Sequence, residues 1–162
     1  MYKKIMVPLD GSELAECVLP HVESIVKGCN APAVVLIRVV EPVLLPAGTA
    51  TDGSIIFTEE EAARIRSQSN LLHKHNAEDY LKNLAGRMQP GIPRLHTEVL
   101  IGKPADTLAA YAEKNDIDLI VIATHGRSGV SRWVWGSIAD RILRSACIPV
   151  MMIRAPGCVP GI

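Results

Sequence analysis

Three short, mostly apolar runs, at residues 5–9, 33–40 and 118–123, limit the fold more than any other feature of the chain. Their centres read IMV, VVLI and LIVI. A strand with one wet face alternates apolar and polar residues. These runs do not, so they suit strands covered on both faces, as in a parallel sheet. Parallel neighbours need a crossover connection, usually a helix, and helical patterns do separate the runs.

After the first run, Leu14, Val18, Val22 and Ile25, with Ala15 and Leu19 beside them, recur at helical spacing. Pro20 predicts a kink in that helix, and Gly28 and Asn30 are expected to stop it. In the second run Arg38 is the one charge, placed near the strand's end. Residues 41–57 show no period and read as a long irregular loop. At 58–61 the sequence TEEE puts carboxylates into a first helical turn, where the helix dipole favours them. Ala77, Tyr80, Leu81, Leu84 and Met88 continue that helix until Gly91 and Pro93. Residues 94–100 alternate, with Leu95, Thr97 and Val99 on one side, which predicts a half-buried edge strand.

Pro104 stands near the first position of the next predicted helix, whose inner face is Leu108, Ala109, Tyr111 and Ala112. A last helix would use Ile138, Ile142, Leu143 and Ala146, and a fifth strand would cover 148–154. The order β-α-β-α-β-α-β-α-β predicts an α/β fold, a doubly wound open parallel sheet with helices on both faces. Residues 1–154 are expected to form a single domain. Residues 155–162, with two prolines and two glycines, are expected to be a tail.

At 162 residues the chain can bury one sizeable core. Formal net charge is zero, so no long-range field draws it to nucleic acid or an anionic membrane. Two tryptophans and one phenylalanine are too few for a base-stacking platform. No apolar run reaches transmembrane length. The run at 5–9 is far shorter than the apolar core of a secretory leader and ends in a turn. Four cysteines occur without a C-x-x-C pair, which argues against a zinc or thioredoxin-type centre. They are expected to be reduced thiols of a cytoplasmic protein.

The chemistry is expected behind the run at 118–123. There the chain reads THGRSG, with Gly126 and Gly129, and nine residues separate Gly126 from Gly136-Ser137. Glycines directly after a strand allow a sharp turn and a close approach of backbone to ligand. The following helix start presents unpaired N–H groups and partial positive charge, which together suit phosphate. Other nucleotide motifs fail on spacing: there is no G-x-x-x-x-G-K-[ST] and no G-x-G-x-x-G. Val130 breaks the G-x-S-x-G pattern of a nucleophile elbow.

This arrangement resembles the universal stress protein family in its ATP-binding branch. That branch carries glycine, two residues, glycine, nine residues, then glycine with serine or threonine. Ala123 stands here in place of the first glycine, Thr124 and His125 are the two residues, and Gly136-Ser137 close the pattern. The resemblance covers almost the whole chain. It implies a five-stranded Rossmann-like sheet in the order 3-2-1-4-5, bound ATP, and a homodimer formed through the last strand, residues 149–153.

It also implies roles for residues. Main-chain amides between Gly126 and Ser137, among them those of Arg127, Ser128, Gly129 and Gly136, with the Ser137 hydroxyl, would hold the phosphates, and Ala123, Thr124, His125 and Ile138 would belong to the same nucleotide site. Asp10, following Pro8 and Leu9, would meet ribose or a Mg²⁺ shared with the phosphates. Val39 would lie against adenine, with Pro8 and Ile122 as walls. Each has a plainer reading beside it. The glycine loop could be an ordinary strand-to-helix connection. Asp10 and Glu13 have capping-box spacing, and Val39 and Ile122 would serve any core.

His125 has no partner acid or nucleophile near it in sequence, so no catalytic residue is expected. His73 and His75, two apart on a helix, point in different directions and cannot chelate one metal. The expected function is a dimeric, nucleotide-dependent regulator in stress response, with nucleotide ordering residues 41–57. Slow ATP hydrolysis or phosphotransfer, and a nucleotide-free interaction protein, are the alternatives.

Overall fold

The computed structural model of the chain describes residues 2–31, 33–45, 48–49, 55–124 and 137–154; of 48–49, 55–57 and 137 it describes the backbone alone. Strands β1 (Lys4–Pro8), β2 (Ala33–Val40), β5 (Arg94–Ile101), β6 (Leu119–Ala123) and β7 (Val150–Ile153) form one sheet. Its order is β5-β2-β1-β6-β7, and every pairing is parallel. Numbered along the sheet's own strands, this is the expected 3-2-1-4-5 order. The direction of progression reverses between β1 and β6, which pair through Ile5 with Leu119 and Met6 with Ile120.

Pleating divides the side chains of the central strands between two cores. Ile5, Val7, Leu9, Val34, Leu36, Leu119, Val121 and Ala123 pack on one face with Val22 and Val26 of α2 (Leu19–Cys29) and Leu81, Leu84 and Met88 of α3 (Glu59–Met88). Met6, Val35, Ile37, Ile120 and Ile122 pack on the other face. Their partners are Leu108 and Ala112 of α4 (Pro104–Lys114) and Ala139 and Ile142 of α5 (Ser137–Ser145). Each large aliphatic buried in this way contributes about 1.5–3 kcal/mol relative to leaving it exposed. β5 is an edge strand with alternating burial, as its sequence predicts. Its Arg94, His96 and Glu98 are exposed, and the two charges discourage pairing with another chain.

Local chemistry adjusts several expected elements. The helix after β1 is two helices, α1 (Glu13–Glu16) and α2. Pro20 has no N–H to give the Glu16 carbonyl, so the helix breaks, and the proline sits in the first turn of α2, where no donor is required. Asn30 ends α2 in the left-handed conformation, φ 51°, with its N–H donating to Val26 O; Gly28 stays inside the helix. Residues 41–57 are not wholly irregular. Gly48–Thr49 (β3) and Ile55–Phe57 (β4) pair antiparallel.

Thr58 caps α3 in a capping box with Glu61: Glu61 N–H donates to Thr58 Oγ1 at 3.2 Å and Thr58 N–H to Glu61 Oε2 at 2.9 Å. These bonds favour the ionised carboxylate and hold the Glu61 pKa below its usual value. At 30 residues α3 is about 45 Å long, well beyond the reach of the eight-residue strands it crosses. Its outer half therefore buries only Ala62 up to Ala77, and leaves Leu71 and Leu72 exposed. That half is tied instead to the segment before it: Val43 N–H donates to Asn70 Oδ1 and Arg66 Nη1 to Leu45 O, both at 2.8 Å. In α5 the inner residues are Ala139 and Ile142. The expected Ile138 and Leu143 face outward, one and four positions from the buried pair's line.

Candidate functional site

At the carboxyl edge of the sheet, the ends of β2, β1 and β6 lie side by side. Pro8, Val39 and Ile122 share the pleat parity of Met6, Ile37 and Ile120. The structure thus places all three on the α4/α5 face, on adjacent strands. Pro8 and Ile122 are buried and Val39 is half-buried, so this apolar floor is only partly covered by the chain itself. Leu9 and Ala123, at 4% and 9% exposure, point into the opposite core. The Ala123 methyl group, which replaces a family glycine, is thereby taken up by the core and not by the cleft.

Main-chain hydrogen bonds extend the sheet past the named ends. Leu9 N–H donates to Ile37 O at 2.8 Å, Thr124 N–H to Ile153 O at 2.8 Å, and Gly102 N–H to Val40 O at 3.1 Å. Thr124 is the one buried polar side chain among the described residues, and it ends β6 beside Ile122. The expected His125, Gly126, Arg127, Ser128, Gly129 and Gly136 lie outside the described residues. Beyond them Ser137 opens α5 and Ile138, 37% exposed, follows it.

Asp10 follows β1 at this edge. Its Oδ1 accepts the Ser12 N–H at 2.9 Å and the Ser12 hydroxyl at 2.6 Å, an Asx turn. Ser12, not Asp10, is the N-cap of α1; its Oγ accepts the Ala15 N–H at 3.2 Å. The capping-box reading of Asp10 with Glu13 therefore fails, because the turn closes two residues later. Gly11 between them has φ +87°, in the region that glycine tolerates and L side chains do not.

Arg38, in sequence only the lone charge of its strand, has a definite place at this edge. Its guanidinium carbon lies 5.3 Å from the ring centre of Tyr80, a cation–π contact. A Cβ on Gly11 would meet Arg38 Cζ at 2.8 Å, so the guanidinium lies against the Gly11 backbone. The Tyr80 hydroxyl is buried and faces the Glu16 carboxylate. Burial first, then the Glu16 and Asp10 carboxylates, push this phenol far above its usual range, and Arg38 partly opposes them. Glu16 also pairs with Arg87 of α3 at 2.9 Å, bracing α1 against the long helix. The signal for Arg38 was its position as the lone charge in an apolar strand.

An open groove of about 380 Å³ runs between α3 and β5, lined by Lys74, Glu78, Lys82, Thr97, Glu98 and Val99. Its opposite charges offset one another, and it sits at the sheet's outer edge, away from the reversal. Among the described residues no group of three His, Cys, Asp or Glu could hold a metal. No helix among them is long and apolar enough to cross a membrane.

Comparison with known proteins agrees with this architecture. The universal stress protein family model matches residues 1–154. The universal stress protein MJ0531 of Methanocaldococcus jannaschii is 32% identical over 158 residues, covering 96% of this chain and 84% of that protein. The structure reported for the protein MJ0577, from the same organism, superposes with a TM-score of 0.79 at 22% identity, covering 97% of this chain and 99% of that one. A universal stress protein family protein from Arabidopsis thaliana, solved with AMP bound, has a TM-score of 0.61 at 18% identity, covering 96% of this chain and 93% of its own. By its match from residue 1 to residue 154 and its relative at 32% identity, the chain belongs to the universal stress protein family.

Proposed function

We propose that the protein is an ATP-binding regulator that works as a homodimer in the cytoplasm. The observation that carries this reading is the convergence of Pro8, Val39 and Ile122 on one face, at the carboxyl ends of three neighbouring strands. That floor adjoins the β1/β6 reversal, where open α/β sheets take their ligands. AMP in the Arabidopsis relative supports an adenine nucleotide as the occupant. In the proposal adenine lies against Val39, between Pro8 and Ile122. Ribose meets the Asp10 turn. The amides of 126–129 and of Gly136, with the start of α5 at Ser137 and Ile138, take the phosphates.

A Mg²⁺ would come with the nucleotide. With no preformed acidic cluster among the described residues, phosphate oxygens and water would hold most of it and Asp10 would add one protein oxygen. Nothing in this arrangement calls for a catalytic base, and the role proposed is sensing. The hydrogen bonds from Val43 to Asn70 and from Arg66 to Leu45 give nucleotide-driven ordering of residues 41–57 a place to act on α3.

Dimerisation is assigned to β7. Among the described residues it pairs only with β6, and its uncharged run leaves Met151 41% exposed, which invites a second strand. Sedimentation of dilute protein checks this, and a monomer alone would refute it. For the nucleotide, mass spectrometry of small molecules released from purified protein is expected to find ATP. Gly136→Val should remove it, by placing a branched side chain where phosphate is to sit. Full retention in that variant would overturn the loop assignment.

A further inference from the structure

We infer that Arg38 is a positioning residue for the ligand turn: its guanidinium, held between the Tyr80 ring and the Gly11 backbone, sets where the Asp10 carboxylate stands. This rests on the proposed nucleotide site but concerns residues outside the family pattern.

The contact is two-sided. On one side the guanidinium carbon is 5.3 Å from the Tyr80 ring centre. On the other, the space above Gly11 is filled by the guanidinium itself, with Cζ, Nη1 and Nη2 at 2.8, 2.9 and 3.0 Å from where a Cβ would stand. Only a residue without Cβ lets the planar group lie this close, and φ +87° makes the same demand for glycine. Gly11 is thus required by its backbone conformation, and the guanidinium occupies the space that a side chain there would enter.

Among the described residues Arg38 makes no ion pair. A guanidinium placed for a salt bridge would be expected to reach a carboxylate. This one instead lies over the Tyr80 ring, a contact that a planar, weakly hydrated guanidinium makes more readily than an ammonium. Tyr80 is fixed in turn, since it sits on α3 four residues before the buried Leu84 and seven before Arg87, which pairs with Glu16. Strand β2, helix α3 and helix α1 therefore meet at Gly11. The next link is short: Gly11 joins Asp10 to Ser12, and both Ser12 bonds to Asp10 Oδ1 depend on the turn's shape.

The test uses the full chain. Amide hydrogen exchange is followed at Ser12, whose N–H donates to Asp10, and at Met6 and Ile120 in the core. ATP affinity is measured by calorimetry. Arg38→Leu keeps much of the apolar stem and removes the plane and the charge; Arg38→Lys keeps the charge and removes the plane. Both are expected to speed Ser12 exchange relative to the core amides and to weaken ATP binding about fivefold, the scale of one lost hydrogen bond. The lysine variant serves alone if the leucine variant does not fold.

Ser12 exchange that matches wild type in both variants overturns the inference, as does Arg38→Lys behaving as wild type in both readouts. Faster exchange with unchanged ATP affinity also overturns it, since the turn would then be held for no ligand. Should the wild-type protein bind no nucleotide, the proposed function fails, and the exchange measurement still decides whether Arg38 holds the turn.

Discussion

The two faces of the sheet end differently at the strands' carboxyl edge. On the α2/α3 face the core of Ile5, Val7, Leu36, Leu81 and Leu84 is closed at that end by the Arg38–Tyr80 stack over Gly11. On the α4/α5 face the core of Met6, Ile37, Ile120 and Ile142 runs out into Val39, which is only half-buried. On one face a charged side chain and a tyrosine cover the strand ends, and on the other the described residues end in a half-buried apolar side chain. The first face carries stability, and the proposed function makes the second the floor for adenine. Both begin from the same alternation of β-branched residues, so the difference arises from what stands at the strand ends.

This contrast can be broken by substitution. Leu84→Ala, deep in the closed face at 1% exposure, should cost about 2–5 kcal/mol of unfolding free energy in urea. A loss under about 1 kcal/mol would mean that this face is loosely packed. Val39→Ala on the second face should act on binding instead. Losing roughly two methylenes of adenine contact, at about 0.8 kcal/mol each, would weaken ATP by about tenfold. An unchanged dissociation constant would remove adenine from that floor.

The outer half of α3 belongs to neither face and hangs on its cap. Thr58→Ala should cost that half about 1 kcal/mol, read as faster amide exchange over residues 61–64 with the sheet amides unaffected. The same cap gives a pH dependence. The Glu61 pKa is lower in the folded chain than unfolded, so its contribution is present above the ordinary carboxylate range and is lost as pH falls through the folded pKa. Protection at 61–64, taken as observed exchange relative to the intrinsic rate at each pH, should therefore fall on acidification, and Thr58→Ala should flatten that response. The smallest effect is expected from Ala123→Gly. Its methyl lies in the closed core, so stability should fall by about 0.5–1 kcal/mol while ATP affinity stays at the wild-type value. Tighter binding in that variant would show that the methyl intrudes on the cleft.

Much of this was legible in the sequence because it depended on period. The buried strands, the edge alternation of 94–100 and the helix start at the acidic turn 58–61 follow from apolar spacing and from side chains acting within a few residues of themselves, although the capping role of Thr58 itself is seen only in the structure. The strand order came from the family resemblance, since periodicity says nothing of which strands adjoin. What escaped was tertiary. Pro20 looked like a kink but starts a new helix, because α1 ends after one turn. The pairing of 48–49 with 55–57 needs partners that no local period reveals. Arg38 could be seen as an odd charge, but not as a lid on Gly11, because Tyr80 is 42 positions away. At the candidate site, Pro8, Val39 and Ile122 were named together and do share a face, while the glycine residues 126, 129 and 136 lie outside the described residues.

The central claim is that nucleotide binds on the α4/α5 face at the β1/β6 reversal. Its most direct test is an amide NMR titration of the isotopically labelled protein with Mg·ATP. The account predicts saturable shifts at Ser12, Val39, Thr124, Ser137 and Ile138, with Lys3 and Lys4 at the opposite edge of the sheet unmoved. Shifts confined to Lys74, Lys82 and Thr97 in the outer groove, or none at all, would contradict it.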